Sequence, residues 1–325
     1  MQITHVEVVP VELKLSVPYR VLYEDKVERA AMVFVRIDTQ EGRSAWGCAA
    51  FDPALTGETQ EKVLRACRRC ADRALDLNPL NTEFALAELA TLTEGTPSAL
   101  AAFDIAFYDL LGLASGLPLH RLLGGYRYRI LKLKGGLDPE EDVRRVAAVH
   151  DALPDVKLRL DADQGYSVRQ ALDVARALAG KIEMLEQPTP AGDLDSLRQV
   201  RELSQVPILA SQGVRSPEAA LEIATRQAAH GLSIKLSTCG GLLPARRIDA
   251  IARAARMTTM VGCLNEPALL IAAGLALALS SPNVQYGDLD GHFDLIDDPT
   301  VPGFRFEEGW LIASDVPGLG CRVDL

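Results

Sequence analysis

From residue 128 onward the chain alternates short apolar runs with helical patterns, and this alternation limits the possible folds more than any other feature. The runs are "ILKLKG", "VKLRLDAD", "IEMLEQP", "VPILASQ", "LSIKLST", "TTMVGC" and "NVQYGDLD". Each is about one strand long, and helix-length segments separate them. Strands joined by single helices pair in parallel through right-handed crossovers. Seven such strands suit a β/α barrel better than an open sheet. The preceding segment reads as α+β. Strands are expected at "ITHVEVVPVEL", "AAMVFVRIDT" and "SAWGCAAF", and helices at "ETQEKVLRACRRCADRAL" and "SALAAFDIAFYDLLGLASG". Gly116 and Pro118 end the second helix. The fold class expected is therefore α/β. A modified (β/α) barrel over residues 126–301 carries an α+β N-terminal capping domain over 1–125, and a short segment, 302–325, returns to the cap.

Barrel proteins carry their chemistry at the C-terminal ends of the strands. Here those ends read Lys132 and Lys134, Asp161 and Asp163, Glu186 and Gln187, Ser211 and Gln212, Lys235, Asn265 and Glu266, then Asp288 and Asp290. Side chains two apart on a strand share a face, so Lys132 and Lys134 point the same way. Charges flanked by apolar strand residues are costly unless paired or bound to a metal. Carboxylates on neighbouring strands make a hard-oxygen site suited to Mg²⁺. Lysines beside it, Lys134 before the carboxylates and Lys235 beyond them, would face each other across a substrate carbon. Such a pair removes a proton α to a carboxylate and returns it from the other side. Solvated strand-to-helix loops are the blander account of the same charges.

Other features narrow the field. The net charge of −10 argues against nucleic acid or an anionic membrane as partner, since both require a basic footprint. The start "MQITHVEVVPVEL" alternates like a strand rather than a leader, and the apolar run "PALLIAAGLALAL" is too short to span a bilayer, so a cytoplasmic location is expected. Cys67 and Cys70 lie inside a helical pattern with no second pair nearby, which speaks against a zinc or redox site.

Taken together, "LKLKGG", "RLDAD", "LEQP", "SIKLSTCGGL" and "GDLDG" resemble the muconate-lactonizing-enzyme subgroup of the enolase superfamily. "WGCAAFDPALTGET" and "SALAAFDIAFYDLLGLASGLPLHRLLGG" resemble its capping domain, so the likeness covers nearly the whole chain. A lysine base working beside a divalent cation is the known chemistry of that superfamily. The resemblance implies Mg²⁺, with Lys134 and Lys235 as acid/base groups and Lys132 supporting the charge of the substrate carboxylate. It also implies Asp161 and Glu186 as metal ligands. The acidic pair Asp288 and Asp290 is similar to one that holds the α-amino group in dipeptide epimerases; the plainer role for either is to cap the turn at Gly291. Segment 16–30 corresponds to a mobile specificity loop, with Tyr19, Arg20 and Tyr23 as lid contacts.

Two departures from the pattern stand out. In "PILASQGVRSPEA" Ser211 takes the place of a third carboxylate ligand and Gln212 that of the following Glu. Asp163, where the family has Asn, is a compensating ligand candidate. In addition, "LLGGYRYRI" runs straight into the paired-lysine strand, giving seven barrel strands where eight are expected: either the barrel is open or distorted at that edge or a different segment fills the gap, and a homo-oligomer is expected. The function expected is a metal-dependent epimerase acting on a dipeptide or related carboxylate. The alternatives are a cycloisomerase or lyase of the same subgroup, as in muconate cycloisomerase or o-succinylbenzoate synthase, and a degenerate barrel that binds without catalysing.

Overall fold

The structure is a computed structural model; it describes the chain except residues 22–23, 117, 120–130, 154 and 308–309. An antiparallel sheet opens it, in the order β1 (Ile3–Val21), β2 (Glu24–Thr39), β3 (Ser44–Ala50). Pro10 and Pro18 both lie in β1. Proline has no ladder N–H and is tolerated there because β1 is an edge strand. Of segment 16–30, residues 16–21 lie in β1 and 24–30 in β2, with register shifts between Lys14 and Tyr19 and between Tyr19 and Val21. Tyr23 lies outside the described residues, and so do the side chains of Tyr19 and Arg20.

Helices α1 (Pro53–Thr56), α2 (Gln60–Ala74), α3 (Thr82–Ala90) and α4 (Pro97–Ser115) complete the cap. Glu58 anchors the start of α4: its Oε1 accepts from Ser98 N at 3.0 Å and from Ser98 Oγ at 2.6 Å. Helix α4 is long and apolar enough to cross a membrane, but 72% of its most apolar window is buried inside the protein, as in a core helix. Cys67 and Cys70 sit on the buried face of α2 and are free thiols.

The second sheet has seven parallel strands in chain order: β4 (Leu131–Lys134), β5 (Leu158–Asp161), β6 (Ile182–Glu186), β7 (Ile208–Ala210), β8 (Gly231–Lys235), β9 (Thr258–Gly262) and β10 (Val284–Gly287). Between them run α5 (Pro139–Ala152), α6 (Val168–Ala177), α7 (Leu194–Leu203), α8 (Pro217–Thr225), α9 (Leu236–Cys239), α10 (Leu242–Ala254) and α11 (Ala268–Ala278). The sheet curls into a half-barrel. Lys132 of the first strand hydrogen-bonds Asp288, just past the last. Among the described residues β4 and β10 are not paired, and the stretch where a further unit was expected falls in 120–130.

The curled sheet encloses a row of interior side chains below the strand ends. Met184, Leu209, Met260 and Tyr286 pack together there. Arg159, 1% exposed, lies among them, with Nε 2.8 Å from Glu183 Oε1 and its guanidinium carbon 4.6 Å from the Tyr286 ring centre. Its Nη1 reaches the Gly287 carbonyl of β10 at 3.3 Å. A guanidinium held by a carboxylate, an aromatic face and a backbone carbonyl, its Nη2 buried without a partner among the described residues, thus braces β5 against the far strand.

After β10 the chain ends in two short antiparallel pairs, β11 (Thr300–Val301) with β14 (Arg322–Val323) and β12 (Phe304–Glu307) with β13 (Trp310–Ala313). The tail reaches α4 of the cap, where Asp109 Oδ1 accepts from Leu319 N at 2.7 Å. One turn earlier on α4, Asp104 accepts from the backbone N–H of Leu242 and, at 3.1 Å, of Leu243. A cap residue thereby satisfies the open amides of barrel helix α10.

Burial raises the Asp104 carboxyl from 3.8 to about 7, with the Leu243 and Leu242 amides opposing it only in part. A carboxyl raised in the folded state favours folding fully below its unfolded value, and that contribution is lost as pH climbs to the folded value. Asp104→Asn cannot ionise. Its stability relative to the parent should therefore improve between pH 3.8 and about 7 and level off above. Urea unfolding at several pH values reads this directly; a difference independent of pH would refute it.

Candidate active site

The parallel register sets the site. Lys134 pairs with Asp161 across β4 and β5, and Asp161 with Glu186 across β5 and β6. Three chemically active side chains therefore stand in one row at the strand ends, with Lys132 and Arg159 one row below. Asp161 and Glu186 are fully buried. Lys134 Nζ lies 2.7 Å from Asp161 Oδ2, on a side chain 59% exposed to the opening. Lys132, 9% exposed, extends up between the carboxylates: its Nζ lies 3.2 Å from Glu186 Oε2, 3.4 Å from Asp161 Oδ2, and against Asp288 Oδ2.

These contacts fix the charge states. Burial works against the Lys132 ammonium, but the carboxylates of Asp288, Glu186 and Asp161 outweigh it and hold the group well above the ordinary lysine range. Burial likewise opposes ionisation of Asp161, and the ammonium groups of Lys134, Lys132 and Lys235 overcome it, holding the carboxyl well below the usual range. Lys235 ends β8 on the other side of the row. It is 6% exposed, and its stem lies against Gly262, where a Cβ would sit 3.4 Å from Lys235 Cε.

The loops after β5, β6 and β7 are tied by amide side chains. Gln187 accepts from Ser211 N at 2.8 Å through Oε1 and donates from Nε2 to Thr189 O at 2.9 Å. Gln212 Nε2 donates to Asp163 Oδ1 across the intervening strand. Asp163, Gln164 and Gln187 all have positive φ (48°, 71° and 36°), conformations that only a strongly determined loop maintains in non-glycine residues. Ser211 is 5% exposed and its Oγ has no hydrogen-bond partner; neither does the buried Glu186 Oε1.

Among the described residues no three of His, Cys, Asp and Glu converge as a metal site. Asp161, Glu186 and Ser211 supply two carboxylates and a hydroxyl, and the two unpartnered oxygens, Glu186 Oε1 and Ser211 Oγ, come from adjacent strands. Mg²⁺ is commonly held by one or two carboxylates with the remaining positions filled by water and substrate, so this donor set fits it with one negative charge fewer than three acids would provide.

Further around the rim, Asp288 and Asp290 follow β10. Asp288 is engaged by Lys132, while Asp290 is exposed and accepts from Cys263 Sγ at 3.7 Å. Glu266 is tied to Ser237 Oγ at 2.6 Å, close behind Lys235. The structure thus brings Lys132, Lys134, Asp161, Glu186 and Asp288 into direct contact, with Lys235 and Ser211 beside them. Arg159 escaped the sequence reading, although "KLRLD" places it on the face of Asp161. Gln187 was read only as a strand-end residue, and nothing local marks it as the ligand of the Ser211 amide.

A capped half-barrel with lysines and carboxylates in register at its strand ends is the architecture of the enolase superfamily. The chain belongs to the mandelate racemase/muconate lactonizing enzyme family of the enolase superfamily. Residues 3–124 match the mandelate racemase/muconate lactonizing enzyme N-terminal domain and residues 119–325 the enolase C-terminal domain-like model. It is 31% identical to the L-Lys-D/L-Arg epimerase of Desulforapulum autotrophicum, with 99% of each chain covered. Among solved structures, the dipeptide epimerase of Enterococcus faecalis complexed with Mg and L-Leu-L-Tyr superposes with a TM-score of 0.93 at 31% identity, covering 99% of both chains. The substrate-liganded L-Ala-D/L-Glu epimerase of Bacillus subtilis superposes with 0.94 at 29% identity over the whole of both. The alignment with the first relative spans 353 positions against 325 residues here, so it opens at least 28 gap positions in this chain. That is about the length of one βα unit.

Proposed function

We propose that the protein is a Mg²⁺-dependent dipeptide epimerase. The observation that carries this reading is the row Lys134–Asp161–Glu186, with Lys235 facing it from β8. Lys134 and Lys235 act as the two proton carriers on opposite faces of the substrate α-carbon. Each can serve as base in one direction and acid in the other. Asp161, Glu186 and the Ser211 hydroxyl hold the ion, and Gln187 fixes Ser211 by its backbone. When bound, Mg²⁺ stabilises negative charge developing on the substrate carboxylate. Lys132 adds positive charge from below.

Asp288 and Asp290 favour a dipeptide over an N-blocked or nitrogen-free acid, since an α-ammonium group would pair with them. The exposed Asp290 has no strong partner of its own. Asp290→Asn should raise KM about tenfold for a dipeptide with a free amino terminus and leave an N-acetylated analogue unchanged. Equal changes for both would remove Asp290 from substrate recognition.

The test of the reaction itself is solvent-deuterium incorporation into L,L- and L,D-dipeptides with added Mg²⁺, followed by mass spectrometry and chiral separation. Deuterium at one α-carbon with inversion is the expected result. A panel of cationic, acidic and hydrophobic dipeptides showing no incorporation at saturating Mg²⁺ would refute the reading.

A further inference from the structure

The two lysines at the ends of β4 and β8 are supported very differently. Lys235 ends β8, an interior strand with β7 on one side and β9 on the other, and is 6% exposed. Lys134 ends β4, the edge strand of the described sheet, and its side chain is 59% exposed. Packing alone therefore does little to fix Lys134 in place. The support comes from helix α5 instead. Arg145 Nη2 donates to the Lys134 carbonyl at 2.6 Å and to Asp142 Oδ1 at 2.6 Å. Asp142, 2% exposed, accepts through its other oxygen from Gly136 N at 2.7 Å and from the Tyr166 hydroxyl at 2.6 Å. Tyr166 is fully buried in the loop that follows Asp161. The loops after Lys134 and Asp161 also meet backbone to backbone: a Cβ at Gly165 would lie 2.0 Å from the Gly136 carbonyl oxygen.

Resting on the reading of Lys134 and Lys235 as the two proton carriers, we propose that Asp142, Arg145 and Tyr166 form a clamp that positions Lys134 and leaves Lys235 untouched. A buried carboxylate is costly unless its oxygens are satisfied. Three donors converge on Asp142, from α5, from the loop after Lys134 and from the loop after Asp161, so three segments are tied at one point. Arg145 carries that fixed point to the strand. Its guanidinium takes the carbonyl at the end of β4 and so sets the backbone from which the Lys134 side chain rises. Hydrogen bonds from a charged donor are short and strong, which suits a clamp. The three residues act through Lys134 rather than on the substrate: the place of Lys134 sets its distance to the proton it moves, and that distance governs the rate. No hydrogen bond of the clamp reaches β8.

Solvent-deuterium exchange, measured separately for the two epimers of one dipeptide with the full-length protein and Mg²⁺, tests the clamp. Arg145→Met removes both guanidinium bonds from an exposed side chain and leaves the core alone. Exchange from the epimer that Lys134 faces, identified by its loss in Lys134→Ala, should fall about thirtyfold, since a misplacement of about 1 Å can cost about a hundredfold. Exchange from the epimer that Lys235 faces should keep the parent's rate. Tyr166→Phe, which removes one hydroxyl from the buried end of the clamp, should give the same split to a smaller degree. A general loosening of the fold would lower both rates together, so the ratio of the two rates separates positioning from a merely structural role. Equal falls for the two epimers in Arg145→Met, or no fall for either, would overturn the clamp and leave the proposed reaction standing. No exchange from either epimer in the parent protein would overturn the proposed reaction and this inference with it.

Discussion

Lys134→Ala and Lys235→Ala are each expected to abolish epimerisation, with a fall of about a thousandfold, the usual contribution of a positioned acid or base. The two losses should differ in kind. If the lysines serve opposite faces, each variant still exchanges the α-proton of the epimer that the surviving lysine faces, but cannot complete the inversion. Exchange from the two epimers of one dipeptide therefore separates the roles. Lys134 Nζ is the nearest cation to the fully buried Asp161 carboxylate, so Lys134→Ala should also lower the thermal midpoint, and loss of exchange must be read on folded protein. Epimerisation persisting in either variant would remove that lysine from the reaction.

Gly47→Ala should produce the largest loss of stability. Gly47 lies in β3 where the sheet meets α4, and a Cβ built on it would sit 1.7 Å from the Ala102 carbonyl oxygen. The obstacle is backbone on both sides, so no side chain can rotate away. Strand and helix would have to separate. Ala99, Ala101 and Ala102, all fully buried, show that small residues permit this approach from the helix side as well. Overpacking of this kind costs about 3 kcal/mol. Urea unfolding followed by circular dichroism gives the value, and an unchanged midpoint would mean that the interface yields.

Much of this architecture is legible in the sequence because it rests on local periodicity. The seven parallel strands follow from their alternation with helices, and Lys132 and Lys134 are visibly on one face because a strand has a period of two. Contacts made across the fold leave no such mark. Asp288 meets Lys132 from 156 positions away, and the Asp163–Gln212 bond spans 49. Asp163, read from sequence as a compensating ligand, accepts from Gln212 through Oδ1, a contact the sequence does not announce. Helix α3, whose apolar residues show little helical sidedness, was missed. Segment 16–30 reads as a loop only on the family resemblance; Pro18 within β1 is tolerated because β1 is an edge strand.

The grip of Asp104 on helix α10 limits how such proteins can be recombined. Separated from the cap, the barrel would expose the amides of Leu242 and Leu243 with no acceptor, and the cap would carry a bare acid on an apolar helix. A Cβ at Gly241 would lie 2.4 Å from Asp104 Cγ, so beside this side chain position 241 admits only glycine. A chimera that joins this barrel to the cap of a relative must therefore transfer both partners together, or lose the anchoring of the start of α10.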